Sequence, residues 1–411
     1  MSGTVVFLGA GSSVPWGLPV TAQIFPKMLR RLLTENAEGK RLFGSDAGAR
    51  NELRKCLYAL LPGLQGFVKR ATWDSKSADK LLPITDLLST IDSLLAASSS
   101  PTPQLTVPAL ARARSLLERG IFEMLVRTEA ADSPPLADTP ESVKREWAHT
   151  ARLKLLSARP QAHADELGKV VDWLFDLKTK TGNATLISTN YDIEVEQALY
   201  YRLSYRDVFR SIDFGTRVRE PDQSTVYSRP ADPQFRVYKL HGSLNWLRCS
   251  VCENLYLNPV GAIAYLSFLL GRDDGRAPAK GWARQLWKAG ANQCQCGSRP
   301  LKHVMVAPSL VRDMRDPVLL EIWRNALEAM RQADEWIVAG YSLPPEDVAL
   351  RSMFLRAFHG RDGRKPRIVV VQLKKKEPEL TRFRLLFGEY TYVEGGLSGY
   401  LGKGRRFRVP K

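Results

Sequence analysis

Short apolar runs alternate along this chain with longer segments in which apolar residues recur at helical spacing. The short runs contain many β-branched residues and end at glycine or polar residues, which is typical of strands. The predicted strands are residues 4–8, 185–188, 236–240, 303–307, 335–339, 367–372 and 390–393. Two helices are predicted at 317–331 and 345–358, between the strands at 303–307, 335–339 and 367–372. This alternation indicates a parallel sheet with helices on both faces.

The segment between the first two strands is predicted to be mostly helical. Seven of its apolar residues recur at helical spacing, namely Leu81, Ile84, Leu87, Leu88, Ile91, Leu94 and Leu95. Such a stripe is more typical of a packed core than of a cofactor site. We therefore expect an α/β fold with a helical insertion at 31–159. The Rossmann-like core would consist of residues 1–30, 160–248 and 300–411.

Two glycines directly follow the first strand, in residues 9–13 (GAGSS). A glycine turn lets the backbone approach a ligand closely. The next helix, expected to start near Leu18 or Pro19, would then offer its unpaired N–H groups to a phosphate. The third glycine of the dinucleotide fingerprint is missing, because Val14 stands at its position. A glycine turn of an ordinary α/β sheet therefore explains this stretch about as well as a nucleotide site does.

Polar side chains follow the next two strands, at the edge where open α/β sheets bind ligands. Thr189, Asn190 and Asp192 follow the second strand, and His241 follows the third. Asp192 could equally cap the next helix through an Asx turn. Imidazole can accept and return a proton near neutral pH, although a single histidine is more often structural. Both interpretations stay open for Asp192 and His241.

Four of the five cysteines form two close pairs, Cys249 with Cys252 and Cys294 with Cys296. Two such pairs are typical of a tetrahedral structural zinc site, although the second pair has one intervening residue instead of two. We therefore expect a small zinc-ribbon-like module at residues 249–299. Disulfides are the alternative, and they fit poorly with a chain that shows no export signal.

Composition and charge narrow the class of protein. The 411 residues are 44% hydrophobic, which permits a large core in one domain with insertions or in two or three domains. No apolar run reaches membrane-spanning length, so we expect a cytoplasmic protein without membrane contact. The net charge is +17, and residues 361–411 contain 14 Lys or Arg against 5 Asp or Glu. The basic tail at 402–411 is either simply solvated or binds nucleic acid or an acidic partner.

Four motifs, in this order along the chain, resemble those of sirtuins. They are GAGSS at 9–13 with Gly-Leu-Pro at 17–19, Ser-Thr-Asn-Tyr-Asp at 188–192, His-Gly at 241–242 and Gly-Tyr-Ser-Leu at 340–343. The resemblance covers the predicted sheet from end to end and implies one sirtuin-like catalytic domain over residues 1–411. The helical insertion and the cysteine pairs stand in the gaps that such a domain leaves.

By this resemblance, NAD would bind across the ends of the strands. The residues implied in its binding are Gly9, Ala10, Gly11, Ser13, Thr189, Gly340 and Ser342. The implied catalytic residues are Asn190, Asp192 and His241. Asn190 and Asp192 would face the nicotinamide ribose and carboxamide, and His241 would act on the ribose hydroxyls.

Departures from the deacylating sirtuins indicate which activity to expect. Val20, Thr21 and Ala22 replace the Asp-Phe-Arg of those enzymes, Thr189 replaces a glutamine, and no Phe-Gly-Glu occurs near 308–312. The chain instead resembles the divergent bacterial sirtuin-like proteins of antiphage defence, which cleave NAD to nicotinamide and ADP-ribose.

Three functions follow from these resemblances. The leading hypothesis is an NAD glycohydrolase, gated by homo-oligomerisation or by a partner such as a ring-forming ATPase or another defence-system subunit. The second is an NAD-dependent protein deacylase or ADP-ribosyltransferase, which the cysteine pairs favour. The third is a catalytically silent assembly subunit that senses NAD or ADP-ribose.

Overall fold

The computed structural model describes most of the chain. The described residues are 3–33, 42–43, 46–69, 81–98, 105–125, 161–203, 205–219, 225–257, 293–298, 301–306, 316–360 and 363–402. The chain divides into two compact units. The first contains Met1–Gly17, Glu129–Met305 and Met314–Lys411, and the second contains Leu18–Thr128 and Val306–Asp313.

The described strands belong to the first unit, and helices occur in both. The strands are β1 (Gly3–Leu8), β2 (Ala184–Ser188), β3 (Ile212–Asp213), β4 (Val218–Arg219), β5 (Val226–Tyr227), β6 (Phe235–Lys239), β7 (Gly242–Arg248), β8 (Leu255–Leu257), β9 (Lys302–Met305), β10 (Ala333–Ala339), β11 (Arg367–Gln372) and β12 (Thr391–Glu394). The helices of the second unit are α1 (Thr21–Leu33), α2 (Ala47–Leu60), α3 (Gly63–Lys69), α4 (Ile84–Ala96) and α5 (Val107–Leu125). Those of the first unit are α6 (Gln161–Thr181), α7 (Glu194–Arg202), α8 (Tyr205–Ser211), α9 (Pro317–Gln332), α10 (Val348–His359), α11 (Glu377–Phe387) and α12 (Gly396–Gly402), besides a 3-10 helix at Ala10–Trp16.

Seven strands form one parallel sheet in the order β12-β11-β10-β1-β2-β6-β3. From β1 the chain proceeds through β2 to β6 in one direction, and from β10 through β11 to β12 in the other. Because crossovers between parallel strands are right-handed, this reversal places the connecting helices on both faces. The direction changes between β1 and β10, and ligands of open α/β sheets bind beyond the carboxyl ends of the strands at such a point.

Apolar side chains fill both sides of this sheet. All five residues of β2 and the last four of β1 are buried. The Phe7 ring centroid lies 4.9 Å from that of Phe354 on α10, and the Phe175 centroid on α6 lies 4.9 Å from that of Phe235 on β6. Strands covered on both faces are expected to be apolar without alternation. The predicted α/β, Rossmann-like fold class is confirmed.

A second sheet, which the sequence did not predict, has the order β5-β4-β8-β7-β9. Strand β7 follows β6 after only two residues, Leu240 and His241, and pairs antiparallel with both β8 and β9. The strand predicted at 303–307 corresponds to β9, so its predicted place in the parallel sheet was wrong. The physical reason is that β7 offers β9 a partner outside the parallel sheet, which periodicity alone cannot reveal.

The second unit is helical in its described residues. Helix α5 packs against α1, α2 and α4. Within the predicted apolar stripe, Ile84, Leu87, Leu88 and Ile91 are buried, as expected for a core-facing helix side. The predicted ends of the insertion and of the cysteine-rich module stay predictions. Residues 126–160, 258–292 and the basic tail beyond 402 lie outside the described residues.

No helix in the described part of the chain is both long enough and apolar enough to span a membrane.

Candidate active site at the carboxyl ends of the strands

The glycine turn after β1 contacts the turn after β10, at the point where the strand order changes direction. The Gly9 N–H donates to the Ala339 carbonyl at 2.9 Å, and the Gly11 N–H donates to the Gly340 carbonyl at 2.8 Å. A Cβ atom added to Gly9 would lie 2.7 Å from the Tyr341 Cα, far inside contact distance. The close approach of the two turns therefore accounts for the glycines. The same contact uses the N–H groups of Gly9 and Gly11 in hydrogen bonds within the protein.

A short helical element that the sequence did not predict directly follows the glycine turn. It is a 3-10 helix at Ala10–Trp16, whereas α1 begins only at Thr21 and belongs to the second unit. The helix expected to start near Leu18 or Pro19 corresponds to α1, whose start lies two or three residues later, and its contact with a phosphate stays a prediction. Ser12 donates its hydroxyl to the Gly9 carbonyl at 2.7 Å, which favours the tight turn directly after the strand.

Asn190 connects the end of β2 to the glycine turn. Its Nδ2 donates to the Gly9 carbonyl at 3.0 Å, to the Ser13 hydroxyl at 3.0 Å and to the Ser12 hydroxyl at 3.2 Å. Because a carbonyl oxygen can only accept, these contacts fix which end of the amide faces the turn. The other end, Oδ1, is buried and has no hydrogen-bond partner among the described residues. A buried amide oxygen without a partner is costly, so this atom fits a hydrogen-bond donor on a bound molecule.

Asp192 has two hydrogen-bonded carboxylate oxygens. Oδ1 accepts from the Glu194 N–H at 3.2 Å, and Oδ2 accepts from the Ser13 hydroxyl at 2.8 Å. The first bond is the Asx-type cap of α7 that the sequence allowed. The second ties Asp192 to the glycine turn, and through Ser13 to Asn190. The two interpretations are therefore compatible, since Asp192 both caps a helix and belongs to the polar cluster.

His241 follows β6 and is 5% exposed. Its Nδ1 lies 3.2 Å from the Thr189 carbonyl, and since a carbonyl only accepts, this contact assigns the proton to Nδ1. In that tautomer Nε2 is the basic nitrogen. The ring centroids of Tyr191 and Trp323 each lie 6.3 Å from that of the imidazole. The Trp323 Nε1 is itself fixed by a 2.8 Å hydrogen bond to the Leu240 carbonyl.

The remaining predicted binding residues surround the same two turns. The Thr189 N–H and hydroxyl both donate to the Leu8 carbonyl, at 3.0 and 3.3 Å. Gly340 has a φ of 65°, and Ala10, Gly340 and Ser342 are half-buried. The Ser342 carbonyl accepts from Arg382 Nη2 at 2.9 Å.

The sequence did not reveal a buried ion pair next to the Asp192 backbone. Lys239 Nζ lies 2.6 Å from Glu196 Oε1, and the two side chains are only 2% and 5% exposed. Lys239 also donates to the backbone carbonyl of Asp192. Burial raises the pKa of Glu196, the Lys239 ammonium opposes this, and the nearby Asp192 carboxylate adds to it, so the net pKa lies above the usual value. A lysine in the last position of a buried strand was the available signal, because unpaired lysines are almost never fully buried.

The four paired cysteines form one cluster. All four Sγ atoms lie within 4.8 Å of one another, and all four thiols are free of disulfides. The Cys249 and Cys296 sulfurs are 3.6 Å apart, and those of Cys252 and Cys294 are 3.3 Å apart. The backbone N–H groups of Val251 and Cys252 point to Cys249 Sγ, at 3.4 and 3.5 Å. The cluster could hold a metal ion.

Asn190, Asp192 and His241 form a buried polar cluster at the strand ends that could bind the polar centre of a substrate. It offers an amide acceptor at Asn190, a carboxylate at Asp192 and an imidazole at His241. Such groups could hold a water molecule and stabilise a developing positive charge.

No protein-family model matches the chain, and no curated protein matches it significantly.

Proposed function

We propose that this protein hydrolyses NAD to nicotinamide and ADP-ribose. The bond between the ribose C1′ and the pyridine nitrogen breaks, and its electron pair neutralises the charge of the nicotinamide ring. A water oxygen bonds to C1′, and the water releases one proton. The reaction passes through a cationic ribose, which a dry and preorganised polar site stabilises better than bulk water does.

The observation that carries this proposal is the buried Asn190 Oδ1 that has no partner in the described residues. An amide oxygen of this kind accepts a hydrogen bond from water and so orients the water lone pair towards C1′. His241 acts on the ribose hydroxyls through Nε2, and Asp192 adds negative charge next to the cationic ribose. The glycine turn and residues 340–342 lie at the strand ends, where the dinucleotide is expected to cross.

We further propose that the four cysteines bind a structural Zn²⁺. A set of four thiolates is typical of such sites. With Zn–S bonds of ~2.3 Å, a tetrahedral site separates its sulfurs by about 3.8 Å. The two short contacts of 3.3 and 3.6 Å and the 4.8 Å limit for the whole set lie on either side of this value. The two N–H groups directed at Cys249 Sγ would stabilise a thiolate there.

Turnover of NAD by matched variants tests the catalytic proposal. We expect the wild type to release nicotinamide, and Asn190→Ala and His241→Ala each to slow this by about 100-fold or more. His359→Ala is the control, because this exposed histidine at the end of α10 should be dispensable. Chromatography of the products measures the rates, and thermal melts confirm that each variant is folded. Intact NAD in every condition, including with candidate activators, would contradict the proposal.

The cysteine cluster favours a second function, that of an NAD-dependent deacylase or ADP-ribosyltransferase. In that case, turnover would require an acylated peptide or a protein acceptor, and acyl-ADP-ribose or a modified protein would appear. A silent sensor would instead bind NAD without consuming it. Product analysis with and without an acylated peptide separates the three outcomes.

A further inference from the structure

Lys239 connects the two chain segments that carry the candidate catalytic residues with helix α7. It is the last residue of β6, two positions before His241. Its ammonium pairs with Glu196 on α7 and donates to the carbonyl of Asp192, in the loop that also bears Asn190. A single buried charge thus links the histidine strand, the asparagine loop and the following helix.

The backbone of the loop between β2 and α7 has other anchors as well. The Thr189 carbonyl lies 3.2 Å from His241 Nδ1, and the Asn190 N–H donates to the Ser188 hydroxyl at 3.1 Å. The Thr189 N–H donates to the Leu8 carbonyl and the Leu244 N–H donates to the Tyr191 carbonyl, both at 3.0 Å. The Asp192 carbonyl, two residues before the start of α7, accepts a hydrogen bond from Lys239. This bond restrains the end of the loop that bears Asn190 and Asp192.

A buried ion pair adds little to the free energy of folding. Removing two charges from water costs more than their attraction often returns, so well-packed apolar residues of similar volume are frequently as stable. A buried pair at the end of the loop that carries the site is better explained by placement of the loop.

We propose that Lys239 is a positioning residue for the NAD-cleaving site, held by Glu196 and acting through the Asp192 backbone. Its side chain is only 2% exposed, so it acts without contacting the substrate. It fixes the distance between the Asn190 loop and the His241 strand. This inference rests on the proposed function, because its catalytic consequence is defined for that reaction.

The test replaces the pair by apolar residues of similar size. In Lys239→Met/Glu196→Leu the buried charges are removed together, so we expect a melting temperature close to that of the wild type. We expect kcat for NAD to fall about 100-fold with little change in KM, since a misplacement of about 1 Å has that effect. Lys180→Met is the matched control, because Lys180 pairs with Asp176 on the surface of α6. A folded double variant with full kcat would overturn the proposal.

A second measurement does not depend on NAD. Hydrogen exchange should show lost protection at the Thr189 and Leu244 amides of the double variant, while the Gly340 amide, bonded to Val371 at 2.9 Å, stays protected. Unchanged protection at Thr189 and Leu244 would also overturn the proposal. If the wild type leaves NAD intact but the double variant loses protection at these amides, the proposed function fails and the positioning role of Lys239 stands.

Discussion

Gly242 illustrates at the residue scale how backbone conformation positions a functional side chain. It follows His241 directly, and its φ of 81° lies in the left-handed region. A Cβ atom at this position would overlap the Val304 carbonyl of β9. The glycine therefore lets the chain turn from β6 into β7 beside β9, and this turn leaves His241 facing the Thr189 carbonyl.

We expect Gly242→Ala to lower the free energy of unfolding by about 3 kcal/mol or more, because left-handed strain and a backbone clash add. Gly363→Ala is the matched control, since Gly363 has a φ of 78° and nothing within 4 Å of an added Cβ. That variant should lose only about 1–2 kcal/mol. Urea denaturation of both proteins measures the difference. Equal losses would show that the contact with β9 is unimportant.

At the scale of elements, β7 connects the two candidate sites. It starts next to His241 and leads to Cys249, and its seven residues span about 20 Å. Trp246 and Leu247 on this strand are buried, and Leu247, Cys249, Tyr256, Cys294 and Leu301 form one apolar cluster around the sulfurs. A metal bound by the four cysteines would therefore stabilise the strands next to the histidine turn.

We expect elemental analysis to find about one zinc per chain and a chelator to lower the melting temperature, because structural zinc contributes directly to folding. Cys249→Ser should lose the metal. Cys56→Ala is the control, because Cys56 is buried in α2, outside the cluster, and its loss should leave the zinc content unchanged. Metal-free wild type with an unchanged melting temperature would contradict the metal proposal.

At the scale of the whole molecule, the order of the parallel strands determines where chemistry can occur. The reversal between β1 and β10 brings the glycine turn, the Asn190 loop and the turn after β10 to the same edge of the sheet.

An enzyme that destroyed NAD continuously would harm the cell that makes it. We therefore propose that assembly or a partner controls the activity.

We expect specific NAD turnover to rise with protein concentration, or to appear only when an activating partner is added. Light scattering together with an NAD assay over a dilution series measures both properties in one sample. Constant specific activity from a dilute monomer would argue against control by assembly. The Asn190→Ala protein is the matched control, because it should assemble in the same way without turnover.

The sequence by itself predicted the parallel sheet. Strands buried on both faces must be apolar, and an apolar run can be recognised within a short stretch of sequence. It also located the polar residues at the strand ends and the two cysteine pairs. It did not predict the second sheet, since short antiparallel strands depend on partners far along the chain. For the same reason, the prediction that the strand at 303–307 belongs to the parallel sheet was wrong.

Only the tertiary structure decided what each site residue contacts. The motifs at Asn190, Asp192 and His241 were visible in the sequence. Among the described residues, the Asn190 oxygen is left without a partner because Gly9, Ser12 and Ser13 contact the other end of the amide. The Lys239 ion pair was missed because its partner lies 43 positions earlier in the sequence. Local pattern determines which residues are buried in a strand or a helix. Long-range packing determines which buried polar atoms find partners, and that decided the candidate chemistry.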